Sequence, residues 1–210
     1  MTIVENSPRR GRPRAFERGV ALERAMEVFW ASGYEGASIP MLTEAMGISA
    51  QSLYAAFGSK DALYREALEV YRTTIGGFGR RALDEETDAL DAVARLLKES
   101  AINFSRTVGA PGCMISMAPA ELTETPLTIL GRTLRAESVA KVAERLERGV
   151  REGQVRRDVD CGAWSRYIGT VVQGMSVQAR DGAATEALLT TAEIARESLQ
   201  ILRPRPPLRT

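Results

Sequence analysis

The apolar positions of this 210-residue chain recur every three to four residues over most of its length, which is the period of a helix. Met41, Leu42, Ala45 and Met46 follow that period and predict a short helix over about residues 38–46. The same kind of stripe returns repeatedly along the chain. The pattern therefore predicts an all-α fold.

Gly47 and Ser49 separate this helix from a second one. Gly47 permits a sharp reversal of the chain, and Ser49 can cap the helix that follows. Leu53 and Phe57 then share the inner face of a helix over residues 50–57. The outward positions of that helix are Gln51, Ser52, Tyr54 and Ala55. Two short helices joined by a glycine turn form a helix-turn-helix, whose second helix can enter the DNA major groove.

Further stripes predict the rest of the helices. In chain order they cover about residues 16–33, 59–78, 90–104, 126–152 and 185–202. One more helix precedes the last of these; Asp158 or Asp160 caps it, and Asp181-Gly182 ends it. Gly76 and Gly77 suggest fraying or a bend near the end of one helix. The polar stretch 81–87 predicts a connection, and residues 113–118 form a short apolar segment. About nine helices are expected in all.

The charge of the chain is concentrated at its start. The net charge is only +1, yet five arginines crowd residues 9–18 and are opposed there by Glu17 alone. We expect residues 1–14 to form a flexible basic arm, in which Arg12 and Arg14 reach phosphates or a minor groove. The alternative is a solvated tail that only aids solubility.

The residue types present argue against an enzyme. Histidine is absent, which excludes every mechanism that needs an imidazole base or ligand. Glu121 and Glu124 lie in a polar connection, so a solvated loop is the favoured interpretation. No phosphate-binding loop or metal motif occurs, so neither a cofactor nor a metal is expected. Without an apolar run that could span a membrane or serve as a signal peptide, a cytoplasmic protein is expected.

Several motifs in one register resemble a known family. Gly11-Arg-Pro-Arg14 precedes a helix that ends in residues 28–34, and residues 53–63 follow the glycine turn. In this order and spacing they resemble the N-terminal domain of the tetracycline-repressor (TetR) family of bacterial transcription regulators. Residues 111–114 and 173–182 resemble an AcrR-like branch of that family. The resemblance implies a three-helix DNA-binding domain over residues 15–62 and a ligand-binding and dimerisation domain over 63–202. The proline-rich end of the chain predicts a disordered tail over 203–210.

A set of DNA contacts follows from the exposed helix together with the resemblance. Gln51 is the main candidate for reading a base, because its amide can pair with adenine N6 and N7. By resemblance, Tyr54 and Lys60 hold phosphates. The full predicted set is Arg12, Arg14, Thr43, Ser49, Ala50, Gln51, Ser52, Tyr54 and Lys60. Many family members carry Tyr-His where this chain has Ala55-Ala56, so one frequent aromatic contact is missing.

Two helices near the end predict a homodimer. Small residues on adjacent helices let partner backbones approach closely, so we expect these helices to form a four-helix bundle with their copies. The predicted interface consists of Gly169, Val172, Met175, Ala179, Leu188, Ala192, Ala195 and Leu199. Burial of the same stripes within one monomer is the alternative.

By resemblance, a small molecule releases such a repressor from a palindromic double-stranded DNA operator. A mostly apolar effector is expected, since the predicted pocket residues are Phe78, Leu97, Phe104, Met114, Met117, Leu130, Trp164 and Ile168.

Two other functions are alternatives. Cys113 and Met117 stand four residues apart and, with Met114 or Met175, could form a soft-metal or redox site. A helical dimer that acts as a protein-interaction adaptor is supported only by the departure at Ala55-Ala56.

Overall fold

The computed structural model describes residues 17–106 and 109–204, which are all-helical apart from the turns that connect the helices. Nine α-helices lie in these ranges: α1 (Arg18–Gly36), α2 (Ile39–Met46), α3 (Ala50–Phe57), α4 (Lys60–Thr73), α5 (Phe78–Glu85), α6 (Ala89–Phe104), α7 (Pro126–Arg151), α8 (Cys161–Arg180) and α9 (Thr185–Ser198). Short 3-10 helices cover Ile75–Gly77 and Leu199–Leu202. The prediction of an all-α fold with about nine helices is confirmed.

The turn between α2 and α3 forms as the sequence predicts. The Ser38 hydroxyl accepts from the Met41 amide at 3.3 Å, and the Ser49 hydroxyl accepts from the Ser52 amide at 3.1 Å. Gly47 between them has a φ of 68°, a left-handed conformation that glycine adopts without a steric penalty. Local capping therefore fixes the start of each helix and the turn between them.

One predicted connection is a helix. Residues 81–87 are polar, but residues 78–85 form α5, because Phe78, Ala82 and Leu83 share a buried face. The sequence interpretation followed the charged residues of this stretch and missed the spacing of the apolar ones. The chain bends before α5 at Gly76, where a Cβ would lie 2.5 Å from a Tyr71 ring carbon.

The N-terminal helices enclose the first of two hydrophobic cores. Its aromatic centre is Phe29, Trp30, Tyr64 and Tyr71, each at most 3% exposed. Helices α1 to α4 supply most of this core, which we call the headpiece core. The predicted domain boundary at residues 62 and 63 therefore falls inside α4, whose buried residues pack with α1.

The remaining helices enclose a second core, which we call the body core. Helices α5, α6, α8 and α9 contribute most of it. The long helix α7 belongs to both cores, since Leu127 and Leu134 pack in the headpiece core and Val142 and Leu146 in the body core. In the described ranges, no helix has an apolar stretch long enough to cross a membrane.

Candidate nucleic-acid interface

Helix α3 is anchored by two buried residues and presents its opposite face to solvent. Leu53 is fully buried and Phe57 is 5% exposed, and both pack in the headpiece core. Ala50, Gln51, Tyr54 and Ala55 are exposed on the other side, Tyr54 to 48%. The helix thus offers one amide, one phenol and two methyl groups to a partner. This is a surface that can make hydrogen bonds and apolar contacts with base edges.

Three of the predicted contact residues use their hydroxyl groups locally. The Ser49 and Ser52 hydroxyls lie 3.0 Å apart, and Ser49 also caps α3. The Thr43 hydroxyl donates to the carbonyl oxygens of Ile39 at 2.9 Å and Pro40 at 3.0 Å. A hydroxyl oxygen engaged in this way still has a lone pair that can accept a hydrogen bond.

Lys60 lies at the first position of α4, beside the N-terminal amides of that helix. Its ammonium nitrogen is 4.2 Å from the centre of the Tyr34 ring, a cation–π contact. The Tyr34 hydroxyl is hydrogen-bonded to Asp61, and burial followed by this carboxylate raises the pKa of the phenol well above its usual range. A cation at a helix N-terminus is disfavoured by the helix dipole, whereas a phosphate there is favoured. The Ser59 cap and the Asp61 carboxylate stabilise the start of α4, so Lys60 is not needed there and its ammonium group can serve a phosphate.

The basic residues near the start of the chain divide into two groups. Arg12 and Arg14 lie outside the described residues. Arg18 is described, and it is held by Glu66 at 2.8 Å and by the Phe57 ring at 4.3 Å. Its charge is already paired, so it supports the headpiece core from the outside.

The predicted pocket residues are divided between the two cores. Phe78, Leu97, Phe104 and Ile168 are buried in the body core, and Trp164 packs against it. Met114 and Leu130 belong to the headpiece core or its edge, and Met117 is 38% exposed. The two groups approach each other at Cys113, which packs against both cores.

The predicted dimer residues pack within one chain. Six of them are buried in the body core: Met175, Ala179, Leu188, Ala192, Ala195 and Leu199. Val172 packs against the same core, and a Cβ on Gly169 would lie 2.7 Å from a Val139 methyl of α7. The stripes identified from the sequence therefore face their own chain, and a partner would have to use other residues of α8 and α9.

Cys113 lies in a tight turn between the two cores. Its amide donates to the Ser176 hydroxyl at 2.8 Å, and its carbonyl accepts from the Met117 amide at 3.0 Å. Met175 is buried in the body core and Met114 in the headpiece core. The described residues contain no group of three or more His, Cys, Asp or Glu side chains that could hold a metal ion.

A junction between headpiece and body escaped the sequence interpretation. The Trp30 indole donates to the Gly112 carbonyl at 3.1 Å, and Arg180 donates to the carbonyl oxygens of Trp30 and Ala31. The local signals were the glycine of Ala110-Pro-Gly112 and the Arg180-Asp-Gly182 that ends α8. Neither signal indicates which distant residues the turn and the arginine contact.

Comparisons with known proteins agree on one family. A sequence model described as bacterial regulatory proteins, tetR family, matches residues 21–67. The chain is 31% identical to the HTH-type transcriptional repressor ComR of Escherichia coli over 87% of this chain and 89% of ComR. It is 28% identical to the repressor BdcR of the same organism over 91% of this chain and 93% of BdcR.

A solved structure extends this agreement to the whole described fold. A cysteine variant of the TetR family transcriptional regulator CifR, complexed with a 26-base-pair operator DNA, is 44% identical and superposes with a TM-score of 0.81. The match covers 90% of this chain and 99% of CifR.

Proposed function

This chain belongs to the tetR family of bacterial regulatory proteins, and we propose that it represses transcription by binding a palindromic operator as a homodimer. A small, mostly apolar effector would release it. No catalytic step, metal or cofactor is part of the proposal. The AcrR-like branch stays a prediction, and a protein that acts on operator DNA would work in the bacterial cytoplasm.

The exposed face of α3 carries the proposal. Gln51 and Tyr54 are exposed on one face, and the aromatic Tyr54 is 48% exposed although Leu53 of the same helix is fully buried. Gln51 stands at the second residue of α3, where recognition helices place their base contacts. Lys60 at the start of α4 is the proposed phosphate contact that would accompany it. Reading and positioning groups therefore occur together on one headpiece.

Exposed large apolar residues on α8, on α9 and on the 3-10 helix that follows α9 support the homodimer. Tyr167 and Ile194 are 39% and 62% exposed, and the Tyr167 hydroxyl lies 3.5 Å from the Ser198 hydroxyl across the two helices. The residues of this surface, which we call the α8–α9 face, are Trp164, Tyr167, Val171, Gly174, Ile194, Ser198 and Ile201. Large apolar side chains in solvent are what a partner of the same shape would bury.

The proposed effector site lies where the two cores meet. Phe104 of the body core is bonded through its carbonyl to the Gly112 amide at 2.8 Å, and Met114 of the headpiece core follows two residues later. A ligand that separated Phe104 from the Gly112 turn would change the position of the headpiece on the body. Such a ligand shifts the equilibrium only through its different affinity for the two arrangements.

The test is a binding measurement on the full-length protein. Its own upstream DNA and a scrambled duplex are compared by fluorescence anisotropy across a salt series. A preference of about a thousandfold, with affinity that falls steeply as salt rises, is the expected result for a specific regulator. Equally weak binding to both duplexes, followed by an unbiased DNA selection that enriches no sequence, would refute the proposal and favour an adaptor.

A further inference from the structure

The last turn of α8 is tied to α1 by one side chain. Arg180 donates through Nη1 to the carbonyl oxygen of Trp30 at 2.9 Å and through Nη2 to that of Ala31 at 2.8 Å. These carbonyls stand just before Gly33, whose φ of 70° and ψ of 176° interrupt the helix. Carbonyl groups at a helix break need donors from elsewhere, and a planar guanidinium supplies two at once.

A tight turn holds the stem of Arg180 from its other side. Gly112 has a φ of 79°, and a Cβ there would lie 2.8 Å from the Ser176 carbonyl oxygen and 2.9 Å from Arg180 Cγ. Only glycine lets the turn approach α8 this closely. The Gly112 carbonyl also accepts from the Trp30 indole at 3.1 Å. Trp30, Gly112 and Arg180 therefore form a closed set of contacts, which we call the brace.

The brace connects the two parts of the molecule whose relative position a dimeric DNA-binding protein must control. Trp30 is buried in the headpiece core, where its ring packs edge-on against Tyr71 at 5.3 Å. Arg180 ends the helix that carries half of the α8–α9 face. In a two-fold dimer that face would fix both copies of α8. The distance between the two headpieces would then depend on how firmly each α8 holds its own α1.

We propose that Arg180 is a positioning residue that sets the separation of the two headpieces, and thereby the half-site spacing that the dimer accepts. This inference rests on the proposed function, because it needs a dimer that reads two half-sites. Arg180 acts through the Trp30 and Ala31 carbonyls, not through DNA. Half-site spacing is the direct measure of headpiece separation.

The experiment begins with DNA selected from a random duplex pool by the full-length wild-type protein. Duplexes are then made in which the centre of the selected site is shortened or lengthened by one or two base pairs. Their affinities are measured for the wild type and for Arg180→Met and Arg180→Lys. Methionine keeps much of the apolar stem but has no donor, whereas lysine keeps the charge without the planar fork.

Arg180→Met should bind the selected spacing about tenfold more weakly, as the loss of hydrogen bonds to a charged group predicts. The ratio between selected and altered spacings should fall by a similar factor, because the headpiece is then free to tilt. Arg180→Lys should give an intermediate ratio. Base preference within one half-site should not change. The control Arg132→Met removes the exposed ion pair between Arg132 of α7 and Glu124, which precedes that helix, and it should leave the spacing ratio intact.

An unchanged spacing ratio in a folded, dimeric Arg180→Met variant would overturn the inference. If that variant does not fold, Arg180→Lys decides by the same comparison, since a wild-type ratio overturns the inference and a reduced ratio supports it. Failure of the wild type to select any DNA would refute the proposed function, and the spacing role with it. If the wild type selects an operator but its spacing preference does not depend on Arg180, the proposed role of the brace is refuted and the proposed function stands.

Discussion

Gln51 is the one exposed side chain on which the proposed reading of a base depends. It lies at the start of α3, while Leu53 of the same helix is fully buried. Gln51→Ala should relax the preference at one operator position by about 1–3 kcal/mol, because one bidentate contact to adenine is lost. The measurement is a comparison of affinities for the operator and for single-base variants of it.

Gln200→Ala is the matched control, because this exposed glutamine lies in the 3-10 helix after α9, far along the chain from the headpiece. It should leave every base preference as it is. Equal losses on operator and scrambled DNA for Gln51→Ala would contradict a base-reading role.

Lys60 contributes charge without sequence information. Its ammonium group lies over the Tyr34 ring and close to the start of α4. Lys60→Ala should weaken binding to all sequences alike and reduce the salt slope by about 0.9, the value for one phosphate contact. The measurement is the affinity for operator and scrambled DNA at four or more salt concentrations.

Lys141→Ala removes a surface lysine that pairs with Glu144 on α7, and it should leave the slope unchanged. A Lys60→Ala protein with a wild-type salt slope would rule out the phosphate contact.

At the scale of one element, the start of α6 depends on a single carboxylate. Asp88 accepts from the Leu90 amide at 2.8 Å and the Asp91 amide at 3.0 Å, and it pairs with Arg203 from beyond α9. Burial alone would raise the pKa of Asp88. The hydrogen bonds from Arg203 and the two amides outweigh that effect and hold its pKa below the ordinary value of 3.8.

Asp88→Asn keeps an oxygen that can cap α6 but removes the charge that pairs with Arg203, so it should lower the free energy of unfolding at pH 7 by about 1–2 kcal/mol. The charged form of Asp88 is favoured in the folded state, so its contribution is fully present above the unfolded pKa and is lost as pH falls through the lower folded pKa. The difference between wild type and variant should accordingly shrink below about pH 4. Urea unfolding at pH 7 and at pH 3 measures both effects.

The control is Asp158→Asn, which removes an exposed partner of Arg156 and should leave stability nearly unchanged. A stability difference for Asp88→Asn that stays constant down to pH 3 would show that the charge of Asp88 is not what stabilises α6.

The expectation that concerns the whole molecule is its assembly as a homodimer. Ile194 is the most exposed large apolar residue of the α8–α9 face. Ile194→Asp should weaken the homodimer by roughly a hundredfold or more, because association would then bury an unpaired charge. Folding of the single chain should not suffer. Sedimentation equilibrium over a concentration series measures the change.

Ile102→Asp is the matched control, since Ile102 is 43% exposed on α6 and lies outside the α8–α9 face. If the Ile194→Asp variant assembles as tightly as the wild type, the dimer interface lies elsewhere on the surface.

The elements that depend on near neighbours along the chain could be predicted from the sequence. Caps such as Ser49, turns such as Gly47 and the amphipathic period of α3 act within a few residues, so the helix-turn-helix and its exposed Gln51 could be read directly. Helix α5 was missed although its signal was local, because Arg80, Arg81 and Asp84 obscured the spacing of Phe78, Ala82 and Leu83.

What each apolar stripe packs against is visible only in the folded chain. A stripe such as Leu188, Ala192 and Ala195 states that a face is buried, but one chain and a second copy satisfy it equally well. The division of the predicted pocket between two cores has the same cause. The brace joins Trp30 to Arg180 across 150 positions, and the direction of an arginine side chain toward two distant carbonyls leaves no periodic trace in the sequence.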